Sequence, residues 1–467
     1  MKKFLDQNFL LSTGVSQQLY HTYAAGLPIL DYHCHIDPRE LWEDRRYENL
    51  TQLWLGSDHY KWRLMRSNGV EERYITGDAG DWEKFLKFAQ TLPRAVGNPI
   101  YHWCHMELRT YFGYQGLLNE KTAEQVWELC QARLREDPNL SARGILLSSR
   151  VAMLGTTDDP CSDLCWHKKL ALDAEFPVKV YPTFRPDPAV ELSRPDFPRY
   201  LERLEQAAGL EIRGLKDLKE ALSLRMDWFA GCGCRGADHG LFRLVYRPVD
   251  DGTADRALQK AHLGQPVSVE EAEGYQTALL LHCAREYARR GWVMQLHFGC
   301  IRNPNRRMLE QLGPDAGFDG IGATDNCQAA YGFLDRLEQE GRVPRMILYS
   351  LNPGDNAWID VLLGAFQSAE CPGKLQHGSA WWFNDHYAGI REHLTSLANL
   401  SVLGNFIGML TDSRSLLSYV RHGYFRRILC GLLGEWVEQG KYPEDMETLG
   451  ELVQDICFRN ARRYFNL

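Results

Sequence analysis

Two histidines separated by one residue, His33 and His35, close a short apolar run, Leu27-Pro28-Ile29-Leu30-Asp31-Tyr32. On a strand, positions i and i+2 share a face about 7 Å apart, so both imidazoles can reach one ion. Far downstream, Phe406-Ile407-Gly408-Met409-Leu410 ends in Thr411-Asp412-Ser413-Arg414. An aspartate arriving from that second strand end supplies the hard anionic oxygen that zinc accepts beside two nitrogens. His33, His35 and Asp412 therefore form a candidate open site for one divalent metal ion, with zinc (Zn2+) the best match.

Spacing alone says little. With 15 histidines in 467 residues, chance supplies about half of one such pair. Position says more, because the pair falls where an apolar run turns polar (Asp37-Pro38-Arg39-Glu40), and barrel active sites lie at strand C-termini. His102 and His105 sit instead among aromatics, in Tyr101-His102-Trp103-Cys104-His105-Met106-Glu107-Leu108. Packed, hydrogen-bonded histidines are expected there.

Those residues need a scaffold. Eight short runs rich in aliphatic and aromatic residues read as strands: Leu27–His33, Val151–Thr157, Val178–Phe184, Trp228–Cys234, Trp292–Phe298, Met346–Ser350, Leu375–Trp382 and Asn405–Leu410. Amphipathic stretches between them, such as Asp196–Leu210, Gly214–Leu224, Glu270–Arg289 and Ala329–Glu340, read as helices. Strands alternating with helices imply parallel pairing, and eight such units predict an α/β chain closed into a (β/α)8 TIM barrel. About 115 residues separate the first two runs, too many for one crossover. Residues 40–147 are expected to form an inserted helical subdomain over the barrel mouth, with helices over Asp81–Leu92, His105–Tyr111 and Thr122–Asp137. The interval Arg235–Val269 reads as a second lid. Neither repeats nor Pro/Gly/Ser-rich linkers interrupt the chain, so one elaborated domain over 1–467 is expected.

Composition narrows the function. An apolar fraction of 44% with 11% aromatics is that of a folded globule. A net charge of −8 argues against nucleic acid or an anionic membrane as partner. Asp6, Gln7 and Asn8 interrupt the basic-then-apolar start Met1-Lys2-Lys3-Phe4-Leu5, so no secretory signal is expected. No apolar run approaches the roughly 18 residues of a membrane span, and a cytoplasmic location follows. Thirteen cysteines, with only Cys161/Cys165 and Cys232/Cys234 closely spaced, read as reduced structural thiols. The run Gly320-Ile321-Gly322-Ala323 lacks the third glycine of a dinucleotide fingerprint.

Polar residues recur at the ends of the apolar runs: Arg185, Asp238 and His239, His297 and Asn352. Arginines in such a ring suit a carboxylate or phosphate, which the guanidinium fork binds bidentately.

The run Asp31-Tyr32-His33-Cys34-His35-Ile36-Asp37-Pro38 resembles the first-strand motif of the uronate isomerases, a branch of the amidohydrolase superfamily. The resemblance covers essentially the whole chain. It extends through Asp58-His59-Tyr60-Lys61-Trp62-Arg63, Asn98-Pro99-Ile100-Tyr101-His102-Trp103, Thr156-Thr157-Asp158-Asp159-Pro160, Pro182-Thr183-Phe184-Arg185-Pro186-Asp187, Gly236-Ala237-Asp238-His239, Gln295-Leu296-His297-Phe298-Gly299 and Thr411-Asp412-Ser413-Arg414. It implies an aldose–ketose isomerase that converts D-glucuronate to D-fructuronate and D-galacturonate to D-tagaturonate, working as a homo-oligomer. It also implies His33, His35 and Asp412 as metal ligands, with Tyr60, Arg185, Asp238, His297 and Arg414 lining the substrate beside His59 and Arg302.

Many hydrolytic relatives carry a lysine on the fourth strand and a histidine on the sixth. Trp228–Cys234 has no lysine and Met346–Ser350 no histidine, so a bridged two-metal site is not expected. Isomerisation needs no activated water. It needs a base beside the C–H bond and stabilisation of an enediolate. Asp412 is the favoured proton carrier, Tyr60 its rival and His297 the next choice. A mononuclear lactonase or deaminase would release acid or ammonia, and a sugar-acid-binding protein would bind without turnover.

Overall fold

The structure, a computed structural model, describes residues 3–322 and 325–467; Met1 and Lys2 of the N-terminal run and Ala323 of the Gly320–Ala323 run lie outside them. Seven parallel strands form its centre: β1 (Ile29–Asp31), β2 (Val151–Gly155), β3 (Lys179–Tyr181), β4 (Gly236–Gly240), β5 (Val293–Phe298), β6 (Arg345–Ser350) and β7 (Leu375–His377). They pair in chain order as β1-β2-β3 and β4-β5-β6-β7. Phe184 links the two sheets, bridging in parallel to Asp158 on one side and Ala237 on the other. All six residues of β5 are buried, and only the first of β6 is partly exposed. Strands covered on both faces read as continuous apolar runs, which is why these two were legible in the sequence. Helices Phe197–Ala208, Leu215–Gly231, Val269–Arg290 and Cys327–Gln339 lie between strands as the periodicity predicts. The chain is α/β with a parallel sheet.

Two of the eight runs are not strands. Trp228 to Gly231 ends the helix Leu215–Gly231; the chain turns through Gly233 (φ 88°), and β4 follows. The apolar residues of that run belong to the helix, where Phe229 is buried and Trp228 remains 41% exposed. The true strand, Gly-Ala-Asp-His-Gly, buries polar side chains and so carries no apolar signal. The interval expected as a second lid, Arg235–Val269, therefore begins with a central strand, followed by the helix Asp251–His262.

The second failure is Asn405–Leu410, which forms no strand. Gly408 has φ 75°, and a Cβ there would lie 2.3 Å from the Ile456 carbonyl oxygen. That kink requires glycine and interrupts a regular ladder. The segment still occupies the gap between β7 and β1. Gln376 Nε2 donates to the Asn405 carbonyl (3.0 Å), Asp412 N to the His33 carbonyl (3.2 Å), and His35 N to the Ser413 carbonyl (3.0 Å). Among the described residues no strand ladder joins β7 to β1, so the closed sheet expected of a (β/α)8 barrel is not formed.

Between β1 and β2 lie seven α-helices, from Pro38–Trp42 to Ala142–Ser148. The three expected ones occupy Asp81–Thr91, Pro99–Phe112 and Ala123–Glu136. Their buried faces (Phe85, Phe88, Trp103, Leu134) join one apolar core with Val15 and Leu19 and with Phe425 and Leu429 of the helix Val420–Glu438. His105 is held there as expected, its Nδ1 2.7 Å from the Tyr101 carbonyl and its Nε2 accepting from Leu118 N at 3.0 Å. All thirteen cysteines are free. Among the described residues, no helix is long and apolar enough to cross a membrane.

Candidate active site

Parallel strands bring their C-terminal ends to one edge, and there the chemistry gathers. β1 ends at Asp31, so His33 and His35 lie just beyond the strand rather than on it. Their rings stand 5.3 Å apart, nearly perpendicular. Both Nε2 atoms fall on the same atom, Asp412 Oδ1, at 3.2 Å from His33 and 3.0 Å from His35. Oδ2 carries no hydrogen bond among the described residues. Two imidazole nitrogens and one carboxylate oxygen within 4.8 Å of one another fit a single divalent cation.

The electrostatics follow from this cluster. Burial opposes ionisation of Asp412, yet bonds from His33 and His35 hold its carboxyl well below the usual range. Burial also works against a charged His33, but Asp238 and Asp412 outweigh it and raise its pKa. For His35 burial wins, lowering the pKa to about 4.

A second group comprises His33, Asp238 and His297. His297 Nδ1 lies 2.7 Å from Asp238 Oδ1, and Arg185 Nη1 lies 3.0 Å from Asp238 Oδ2. Asp187 holds Arg185 from the other side, accepting from Nε at 2.8 Å and from Gly240 N at 2.9 Å. Burial opposes the charge on Asp238, but Arg185, His33 and His297 keep it ionised far below the ordinary range. A guanidinium already balances this carboxylate. The His297 ring lies flat on Tyr349, centroids 4.2 Å apart and planes within 3°, and burial lowers its pKa.

A cavity opens above these residues, lined by His33, His35 and Asp412 with Arg185, His297, His59, Arg302 and Arg414. Asp238 is wholly buried beneath it, in contact with three residues of the cavity wall: Arg185, His297 and His33, whose Nδ1 lies 3.9 Å from Asp238 Oδ2. Tyr60 lines an adjoining recess with Asp412, Arg414 and Arg421. The helical segment between β1 and β2 delivers His59 and Tyr60 on the first turn of the helix His59–Ser67. Asp58 caps that turn, accepting from Tyr60 N at 2.9 Å and Lys61 N at 3.2 Å. Burial raises the Tyr60 pKa well above its ordinary value despite the opposing charge of Arg421, so the phenol is neutral. Arg302 donates to Asp319 Oδ2 at 2.8 Å and lies 5.1 Å over the Trp382 ring.

Two strand-end residues do not join the site. His239 is fully buried, its Nε2 3.2 Å from the Tyr287 hydroxyl. Asn352 caps the turn Pro353–Asp355. Conversely, the cavity wall includes Trp381, Trp382 and Asp315, which the sequence did not mark. An adjacent aromatic pair at a strand end was the available signal, submerged because both tryptophans read as part of the apolar run Leu375–Trp382.

Comparison with known proteins agrees with this geometry. Residues 1–465 match the family model for glucuronate isomerase. The uronate isomerase of Lachnospira eligens is 52% identical over 465 residues, covering 100% of this chain and 99% of the relative. That of Geobacillus thermodenitrificans is 49% identical over 467 residues, covering 100% of both. Among solved structures, uronate isomerase from Thermotoga maritima superposes with a TM-score of 0.94 at 32% identity, covering 99% of this chain and 100% of the other. Glucuronate isomerase from Caulobacter crescentus gives 0.91 at 25% identity, with 99% and 97% covered. With both histidines, the aspartate and the arginine ring in one cavity and full-length matches at this level, the chain belongs to the glucuronate isomerase family.

Proposed function

We propose that this protein is an aldose–ketose isomerase of hexuronates, interconverting D-glucuronate with D-fructuronate and D-galacturonate with D-tagaturonate through an enediol. The observation that carries this reading is the division of Asp412. One oxygen gathers both imidazoles and the other carries no such bond among the described residues, so a single carboxylate can face a cation and a substrate C–H bond at once. Asp412, held ionised, takes the C2 proton and returns it to C1 on the same face, while the proton of the C2 hydroxyl passes to the C1 oxygen. Tyr60, neutral, donates a hydrogen bond to the developing enediolate rather than acting as base. Arg185, held by Asp187 and Asp238, offers pre-oriented donors to the substrate carboxylate or enediolate, with Arg414, Arg302 and His59 completing the wall. Asp238 acts from below by fixing Arg185 and His297. His33, His35 and Asp412 would hold one divalent ion, zinc fitting the donor set best, which when bound supplies positive charge to the substrate's anionic oxygens.

The same reading places 405–410 in the eighth position of a (β/α)8 barrel, with 40–147 covering its mouth, all within one domain of 1–467. A hydrolase is not favoured: β4 carries no lysine, β6 no histidine, and Arg185 already balances Asp238.

The test is incubation with D-glucuronate in deuterated water, followed by NMR. Ketose formation with solvent-dependent label at C1 is expected. No ketose, or release of acid or ammonia from a substrate panel instead, would overturn the reading.

A further inference from the structure

We infer that Asp31 and Arg421 are positioning residues that together clamp Thr411 and thereby set the backbone turn that aims Asp412. Asp31, the last residue of β1, is fully buried and uses both oxygens on one neighbour. Oδ1 accepts from Thr411 N at 2.8 Å and Oδ2 from Thr411 Oγ1 at 2.5 Å. From the other flank Arg421, in the first turn of the helix Val420–Glu438 and 2% exposed, donates Nη1 to the Thr411 carbonyl at 3.2 Å. The amide, hydroxyl and carbonyl of Thr411 are thus all held, and its hydroxyl also accepts from Ser413 N at 3.3 Å.

The residue so bracketed has an unusual backbone conformation. Asp412 has φ 47°, in the left-handed region that residues other than glycine seldom occupy. Non-glycine residues persist there when the surroundings over-determine them, and they cluster at functional sites. Here the surroundings are the Thr411 clamp before the residue and the bond from Asp412 N to the His33 carbonyl at 3.2 Å. The result is that Oδ1 meets both imidazoles.

The chemistry also specifies the side chain at position 31. Thr411 presents two donors to it, and only a carboxylate has an acceptor on each terminal atom; an asparagine would oppose one donor with its own NH2. Arg421 adds a second link, because its guanidinium lies 4.1 Å over the Trp103 ring, 5.5 Å over the Tyr60 ring and 3.8 Å from Asp385. One buried cation therefore spans the Thr411–Asp412 turn and the residue proposed to steady the enediolate.

This inference rests on the isomerase reading for its kinetic consequence, so the test includes a measurement independent of turnover. Thr411→Val keeps the shape and removes the hydroxyl; Thr411→Ser keeps the hydroxyl; Asp31→Asn and Arg421→Met cut the clamp from either side. For each, kcat and KM on D-glucuronate, the affinity for zinc ion alone by chelator competition, and the thermal midpoint are measured. A misplacement of about 1 Å costs about 100-fold in rate. Thr411→Val and Asp31→Asn are therefore expected to lose about 10- to 100-fold in kcat with KM within about threefold, and to bind zinc more weakly, whereas Thr411→Ser stays near wild type. A lowered midpoint with kcat and zinc affinity unchanged would overturn the clamp, as would equal losses in the Ser and Val variants. If Asp31→Asn does not fold, the Thr411 pair decides. If the wild type turns over no hexuronate, the isomerase reading fails while the zinc comparison still judges the clamp.

Discussion

Arg185 and Asp238 form an ion pair at 3.0 Å in which the carboxylate has no contact with solvent. Removing one member of such a pair leaves the other buried and unbalanced, which costs far more than the pair contributes. The other oxygen of Asp238 is engaged by His297 at 2.7 Å, so Arg185, Asp238 and His297 behave as one unit in the cavity floor. Substitutions within it will be non-additive.

Substrate charge is the first consequence. Losing a desolvated contact between an arginine and the uronate carboxylate or enediolate costs roughly 2–5 kcal/mol, about two to three decades or more in rate. D-Glucose should accordingly be a very poor substrate beside D-glucuronate, and Arg185→Met should lose most of that preference. Comparable kcat/KM values on the two sugars would remove the case for the arginine ring.

Metal content is the second. Elemental analysis should find about one divalent ion per chain, and His33→Ala or Asp412→Ala should lower it, because each removes one of the three proposed donors. Asp238→Asn should leave occupancy largely intact, since its carboxylate is already balanced by Arg185. Two tightly held ions would contradict this.

The third separates the proton carriers. Asp412→Asn should abolish both isomerisation and solvent exchange at C1, even with excess zinc. Tyr60→Phe should retain exchange, slowed by about 10²–10³ through loss of one hydrogen bond to the enediolate. Exchange that survives in Asp412→Asn and vanishes in Tyr60→Phe would make the tyrosine the base, despite its raised pKa.

The fourth concerns stability. Glu107 on the helix Pro99–Phe112 is 2% exposed and accepts from Trp54 Nε1, and burial raises its pKa from 4.5 to about 7. The folded state therefore binds more protons than the unfolded between these values. The stabilising contribution of this group is complete below about pH 4.5 and is lost as pH rises through about 7. Glu107→Gln keeps an acceptor for Trp54 but cannot ionise. Urea unfolding should show the variant gaining on wild type as pH rises from 5 to 8, by up to about 3 kcal/mol. A gap that stays constant or shrinks with pH would refute the assignment.

The sequence alone determined the chemistry-bearing residues close to the ends of apolar runs. His33, His35, Arg185, His297 and Asp412 could be picked out because a buried parallel strand is a run of aliphatic side chains that stops abruptly where polar groups begin. The helices between β1 and β2 were equally legible, since 3.6-residue periodicity is a local property. Tertiary structure decided what no local pattern encodes. β4 was misplaced because its burial is spent on Asp238 and His239, which carry no apolar signal. The run 405–410 was not a strand because Ile456, distant in sequence, leaves no room for a side chain at Gly408. Nothing in the run Asp31-Tyr32-His33 announces that Asp31 grips Thr411, 380 residues away. Nor does it announce that Asp412 must turn left-handed for its carboxylate to meet both histidines. Residue types and strand ends follow from short-range patterning; which side chains share an oxygen, and in what backbone conformation, depends on contacts between segments that only the folded chain brings together.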